Sequence, residues 1–148
     1  MLFTSGGFDA ERMRFVIDPA RLERIPLFAD LDDEQRADIA ARVKELTLEA
    51  DATIAVQGEN AYELFVIEEG EAEVRRDGEP IATLRRGDVC GEIGVLVTGT
   101  RRATVVATTP MRLVAMFSSD FRQVERQMPT LAARLREVMR DRVSRTSL

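Results

Sequence analysis

Between residues 46 and 117 the apolar positions come in short runs cut by turn residues: LTLEA, TIAVQGE, YELFVIEEG, EAEVRRDG, PIATLRRGD, RRATVVATTP and MRLVAMF. Short β-branched and aromatic runs bounded by glycine are strand signals. In TIAVQ, Ile54 and Val56 fall on one face of a strand, at the period of two. ELFVI is apolar at Leu64, Phe65, Val66 and Ile67 without alternation, which predicts a strand buried on both faces. Gly58, Gly70, Gly78 and Gly87 mark turns, and Asp77-Gly78 between EAEVRR and EPIATL predicts a hairpin. About eight short strands at this spacing predict a mainly β fold with flanking α, an eight-stranded jelly-roll barrel.

The flanks are patterned differently. Residues 18–29 predict a short helix running into a turn, interrupted by Pro26, which lacks a donor and clashes with the preceding turn. Asp32 followed by Gln35 resembles a capping box, and Ala37, Ile39, Ala40 and Val43 make an apolar stripe, so a helix is expected over about 33–43. A second helical region starts at Ser118 or Ser119, with Phe121, Val124 and Met128 on one side. Pro129 opens the last helix, because a first-turn proline loses no bond. Leu131, Leu135, Val138, Met139 and Val143 form its stripe, which either packs on the barrel or forms a homodimer seam with a second copy of the chain. The expected layout is a flexible tail at 1–17 and one domain at 18–148: a helical lead-in at 18–45, the β-roll at 46–118 and C-terminal helices at 119–148.

Composition narrows the chemistry. The 148 residues are one domain's worth. Histidine is absent, which removes Ser–His–Asp triads, Cys–His pairs and histidine-held metals. No metal site is expected; paired carboxylates remain open to an enzyme, although no pair stands out among the scattered acidic residues. Cys90 is the sole cysteine, so there is no internal disulfide, in keeping with a reducing cytoplasm. No apolar run approaches the roughly 18 residues of a membrane span, and the N-terminus lacks the pattern of a secretory signal. Residues 1–120 hold 14 basic and 23 acidic side chains, whereas 121–148 hold 7 basic and 3 acidic. An acidic body disfavours DNA binding, and the basic helix reads as a solvated face rather than a nucleic-acid or membrane contact.

One stretch stands out in an acidic chain: GEIGVLVTGTRRATV, residues 91–105. Two glycines flank Glu92 and Ile93, and a helical turn there would leave backbone N–H groups free as an anion site. Arg101 can fork onto two phosphate oxygens, with the N–H groups of Arg102 and Ala103 adding donors. Glu92 repels phosphate, so it either takes a hydroxyl donor or holds the guanidinium. Taken alone, the arginine pair is also what a solvated charge pair looks like.

Cys90-Gly91-Glu92-Ile93-Gly94-Val95-Leu96 followed by Arg101-Arg102-Ala103-Thr104-Val105 resembles the phosphate-binding cassette of cyclic nucleotide-binding domains, found in catabolite activators, protein kinase regulatory subunits and nucleotide-gated channels. IPLFADLDDEQ, IAVQGENAYELFVIEEGEAEV and LRRGDVCGEIG are similar to the same family in order, so the resemblance spans about residues 20–147. It implies a cyclic nucleotide ligand, cAMP or cGMP with cAMP preferred, and no other cofactor. Glu92 would accept the ribose 2′-OH and Arg101 would pair with the cyclic phosphate. The backbones of Gly91, Ile93, Arg102 and Ala103 would line the sugar and phosphate. Val74, with Ile81 or Leu84, would contact the base. The last helix resembles the long helix of the bacterial activators, which places Arg142, Thr146 and Ser147 on base-contacting positions. Two departures are visible: Cys90 replaces the usual phenylalanine, and Arg102 stands where a small or hydroxyl residue is usual.

The resemblance implies a stand-alone sensor closed by a lid helix, acting on an unknown protein partner. No DNA-binding domain is expected, since the sequence ends at Leu148, where the activators continue into a helix-turn-helix. The rival expectation is a ligand-free interaction or dimerisation module with a degenerate pocket.

Overall fold

The computed structural model describes residues 13–14, 17–91 and 99–146, with backbone only at 13, 14, 134, 138, 139 and 141–146. Its strands are β1 (Met13–Arg14), β2 (Lys44–Leu48), β3 (Thr53–Ala55), β4 (Glu63–Glu69), β5 (Ala72–Arg76), β6 (Glu79–Leu84), β7 (Val89–Cys90), β8 (Thr104–Ala107) and β9 (Met111–Phe117). They form two antiparallel sheets, ordered β1-β2-β9-β4-β7 and β3-β8-β5-β6. Among the described residues no strand pairing joins the two sheets. They make an open sandwich where a closed eight-stranded barrel was expected; β1 is a ninth strand.

Helices cover the outer face of the larger sheet, so the fold has three layers. β4 and β9 lie between two cores, and the pleat sends alternate side chains to each. Leu64, Val66, Val114 and Met116 pack with the helices, against Leu22, Ile25, Phe28, Ile39, Phe121 and Val124. Phe65, Ile67, Leu113 and Ala115 face the smaller sheet, against Ile54, Val74, Leu84 and Val105. All four apolar residues of ELFVI are buried, as the missing alternation predicts. At about 1.5–3 kcal/mol per buried aliphatic or aromatic side chain, β4 is a principal source of stability.

Local signals hold at most boundaries. Asp32 and Gln35 form the capping box, Gln35 N donating to Asp32 Oδ1 at 2.7 Å and Asp32 N to Gln35 Oε1 at 3.1 Å, and open α2 (Asp33–Ala40). That helix stops earlier than expected, and β2 starts at Lys44. α1 (Pro19–Leu22) ends before Pro26, which starts a 3-10 turn (Pro26–Phe28). Asp77 and Gly78 carry φ of 54° and 83° between β5 and β6, the left-handed pair of a two-residue hairpin. α3 (Ser118–Gln127) starts at Ser118 with Phe117 as its N-cap and no side-chain cap, and α4 (Pro129–Thr146) starts at its proline. Leu131 and Leu135 are buried in the helical core, so that part of the stripe packs on the body of the protein. The side chains of Val138, Met139 and Val143 are outside the described residues.

Two expectations are corrected, and one left open is narrowed. The tail does not extend to residue 17: Met13 and Arg14 pair with Leu46 and Glu45, and Ile17 is buried. Ile54 and Val56 do not share a buried face. A register shift between Thr53 and Ala55 buries Ile54 and Ala55, while Val56 is half-buried beyond the strand. Ile81 and Leu84 also point opposite ways, as described below.

Candidate functional site

The segment that carries Arg101 is held by backbone rather than by side-chain packing alone. Arg101 N donates to Glu59 O at 2.7 Å, Gly58 N donates to Arg101 O at 2.9 Å, and Ala61 N donates to Gly99 O at 2.9 Å. Gln57 N donates to Thr104 Oγ1 at 3.0 Å. The 57–61 loop thus runs beside residues 99–104 and fixes where the Arg101 side chain starts.

That side chain turns inward. Its relative exposure is 6%, and that of the Glu63 side chain is 8%. Nη2 of Arg101 donates to Glu63 O at 2.9 Å and to Glu63 Oε1 at 3.2 Å. The guanidinium carbon lies 5.2 Å from the centre of the Phe65 ring, within cation–π range. Nη1 of Arg101 and Oε2 of Glu63 are buried without a hydrogen-bond partner among the described residues.

Gly91, just past β7, is the floor under this cation. Its φ is +85°, and a Cβ built on it would lie 2.3 Å from Arg101 Nη1 and 3.3 Å from Glu63 O. Only glycine gives both the backbone conformation and the space. Burial pushes the Glu63 carboxyl above the usual carboxylate range; the charge and hydrogen bond of Arg101, and to a smaller extent the charge of Lys44, pull part of the way back.

The structure brings only some of the sequence-predicted site residues together. Gly91 and Arg101 touch. Ala103 is buried in the core between the sheets beside Val74, Leu84 and Cys90. Arg102 is exposed. Val74 pairs with Ala82, so Ala82 and Leu84 share its inward face, whereas Ile81 is 40% exposed on the other. Ile81 is therefore corrected: of the two candidates beside Val74, only Leu84 faces inward with it. Glu92, Ile93 and Ser147 lie outside the described residues, as do the side chains of Arg142 and Thr146.

Sequence reasoning passed over Glu63. The available signal was a carboxylate heading a run buried on both faces, since such a charge needs a partner. Among the described residues no group of three or more potential metal ligands is present, and no helix is long and apolar enough to cross a membrane. A buried cation with one donor left without a partner among the described residues, above a glycine, is chemically suited to holding an anion.

Comparison with known proteins shows the family. The model of the family described as "Cyclic nucleotide-binding domain" matches residues 45–127. A cAMP-dependent protein kinase regulatory subunit of Schizosaccharomyces pombe is 32% identical over 117 residues, 78% of this chain and 28% of the relative. The chain thus spans under a third of that relative's length. The N-terminal domain of a transcriptional regulator from Streptomyces coelicolor superposes with a TM-score of 0.67 at 32% identity, covering 86% of this chain and 92% of that one. A protein of Geobacter metallireducens, provisionally described as cyclic nucleotide-binding, superposes with a TM-score of 0.77 at 23% identity, over 90% of this chain and all of the other; at that identity it shows the fold alone.

Proposed function

The chain belongs to the cyclic nucleotide-binding domain family, and from that premise we propose that it binds a cyclic nucleotide, cAMP before cGMP, as a regulatory sensor rather than an enzyme. The observation that carries the reading is the buried Arg101 guanidinium beside Gly91, with Nη1 unpartnered among the described residues. A cyclic phosphodiester offers two unesterified oxygens and one negative charge, which suits one edge of a guanidinium. The name of the fission yeast relative, a cAMP-dependent kinase regulatory subunit, supports cAMP as the first ligand to try.

In this reading Glu92 takes the ribose 2′-OH, and the backbones of Gly91, Ile93, Arg102 and Ala103 line the sugar and phosphate. Val74 and Leu84 form the apolar wall toward the base. The eight strands β2–β9 make up the jelly-roll of the family. Arg142, Thr146 and Ser147, on or just after α4, close over the base as a lid. Since the Arg101 side chain is 6% exposed, phosphate entry requires local opening, and a ligand shifts that equilibrium only through tighter binding to one state. The output is a contact with another protein, in the cytoplasm, without nucleic acid or membrane.

A thermal-shift screen with cAMP, cGMP and unrelated nucleotides tests this, because a ligand that binds only the folded state raises Tm. A rise with a cyclic nucleotide and none with the others is expected. One observation favours a second reading, an interaction or dimerisation module that needs no ligand: Glu63 already faces the charge of Arg101. No shift with any nucleotide would select it.

A further inference from the structure

The pairing of Glu63 with Arg101 is one-sided. Oε1 of Glu63 and Nη2 of Arg101 meet at 3.2 Å, while Oε2 and Nη1 are both buried and unpartnered among the described residues. A buried ion pair kept for stability alone does best with its remaining donors and acceptors satisfied, since each orphan costs desolvation energy. Here one donor and one acceptor stand open at the same guanidinium–carboxylate contact.

A phosphodiester monoanion answers only half of that. Its oxygens satisfy Nη1, but it brings negative charge toward a carboxylate that is already in place. Two anions sharing one cation favour protonation of the more basic of them. The phosphodiester is a strong acid, so the proton goes to Glu63. A protonated Glu63 becomes a donor at Oε2, able to bond a phosphate oxygen, and the repulsion disappears. Both orphans are then satisfied.

We propose that Glu63 serves as the counter-anion of Arg101 in the ligand-free site and takes up a proton when an anion binds, so that the affinity of this site for a cyclic phosphodiester is coupled to pH. The proton comes from solvent, adds to Glu63 Oε2, and leaves when the ligand does. Among the described residues the charged groups that act on Glu63 are Arg101 and Lys44, both cations. Burial already raises the Glu63 carboxyl, and sharing Arg101 with a second anion weakens the chief attraction that lowers it. This inference rests on the cyclic nucleotide reading and adds a regulatory property to it.

Calorimetric titration of the full chain with cAMP, between about pH 8 and about pH 5.5, in buffers of different ionisation enthalpy, tests it. The unaltered protein is expected to take up about half a proton per ligand midway between the free and bound titrations of Glu63, with affinity rising about tenfold as pH falls across them. Glu63→Gln keeps an acceptor for Nη2 but cannot titrate. It is expected to bind about tenfold more tightly than the unaltered protein near pH 8, with no proton uptake and a flat pH profile. Weaker binding by Glu63→Gln would make Glu63 a positioning residue and overturn the proposal. Absence of proton uptake by the unaltered protein would overturn it without recourse to any variant. Failure of both cAMP and cGMP to bind the unaltered protein at every pH would instead remove the proposed function, and this inference with it.

Discussion

Gly91→Ala places one methyl group where the structure has no room for it. The new Cβ would lie 2.3 Å from Nη1 of Arg101 and 3.4 Å from the guanidinium carbon. Relief to ordinary contact distance needs a shift of roughly 1 Å. Nη2 holds Glu63 at 2.9 and 3.2 Å, so that shift costs the longer of the two bonds. A hydrogen bond to a charged group is worth about 1.5–3 kcal/mol. Alanine at φ +85° adds about 1 kcal/mol of backbone strain. The expected loss is about 2–4 kcal/mol, a fall in Tm of roughly 5–15 °C for a chain of this size. Gly58→Ala is the control, because its φ is +88° and nothing lies within 4 Å of a Cβ there. Urea melts of both variants isolate the guanidinium displacement as the difference between them, about 1–3 kcal/mol. Equal losses in the two variants would show that Arg101 is not seated on Gly91, and the geometry described for the site would be wrong.

Other consequences are independent of that one. Gly70→Ala should cost about 3 kcal/mol or more in a urea melt, because its Cβ would lie 2.4 Å from the Pro110 carbonyl oxygen at φ +99°, a backbone contact that cannot yield cheaply. Asp32→Ala removes the acceptor that caps α2 and should cost about 1 kcal/mol, read as a Tm lower by roughly 2–4 °C. Because the folded-state pKa of Glu63 is raised, the contribution of that carboxyl to stability is fully present below its unfolded value of 4.5 and is lost as pH rises through the folded one. Stability of the unaltered protein relative to Glu63→Gln should therefore fall as pH rises above about 4.5 in paired urea melts; a relative rise would mean that Arg101 outweighs burial.

What the chain declares about itself depends on distance. Asp32 with Gln35, Asp77-Gly78, the turn glycines and Pro129 act within a few residues, and each element boundary that they govern was legible. ELFVI was legible as a doubly buried strand because its apolar residues do not alternate. β1 was not, since a strand of two residues carries no period and exists only because the edge of β2 recruits it. The face of Val56 is not the one its spacing predicts, and the choice between Ile81 and Leu84 stayed open, in strands with register shifts between Thr53 and Ala55 and at the Val74/Arg75 step of the partner strand. A shift of one residue reverses which side chains point inward. Gly91 and Arg101 were each legible as members of one cassette, but not the contact between them. Glu63 was not, because it meets Arg101 across 38 residues of sequence and a sheet crossing that no local pattern encodes.

The central claim is that Arg101 receives the phosphate of a cyclic nucleotide. Calorimetry of cAMP with the unaltered protein and with Arg101→Ala, each shown to be folded by circular dichroism, tests it directly. Saturable one-to-one binding that weakens by about 2–4 kcal/mol in the variant, some thirtyfold to a thousandfold, is the expected result. Equal affinity in the two proteins would contradict it.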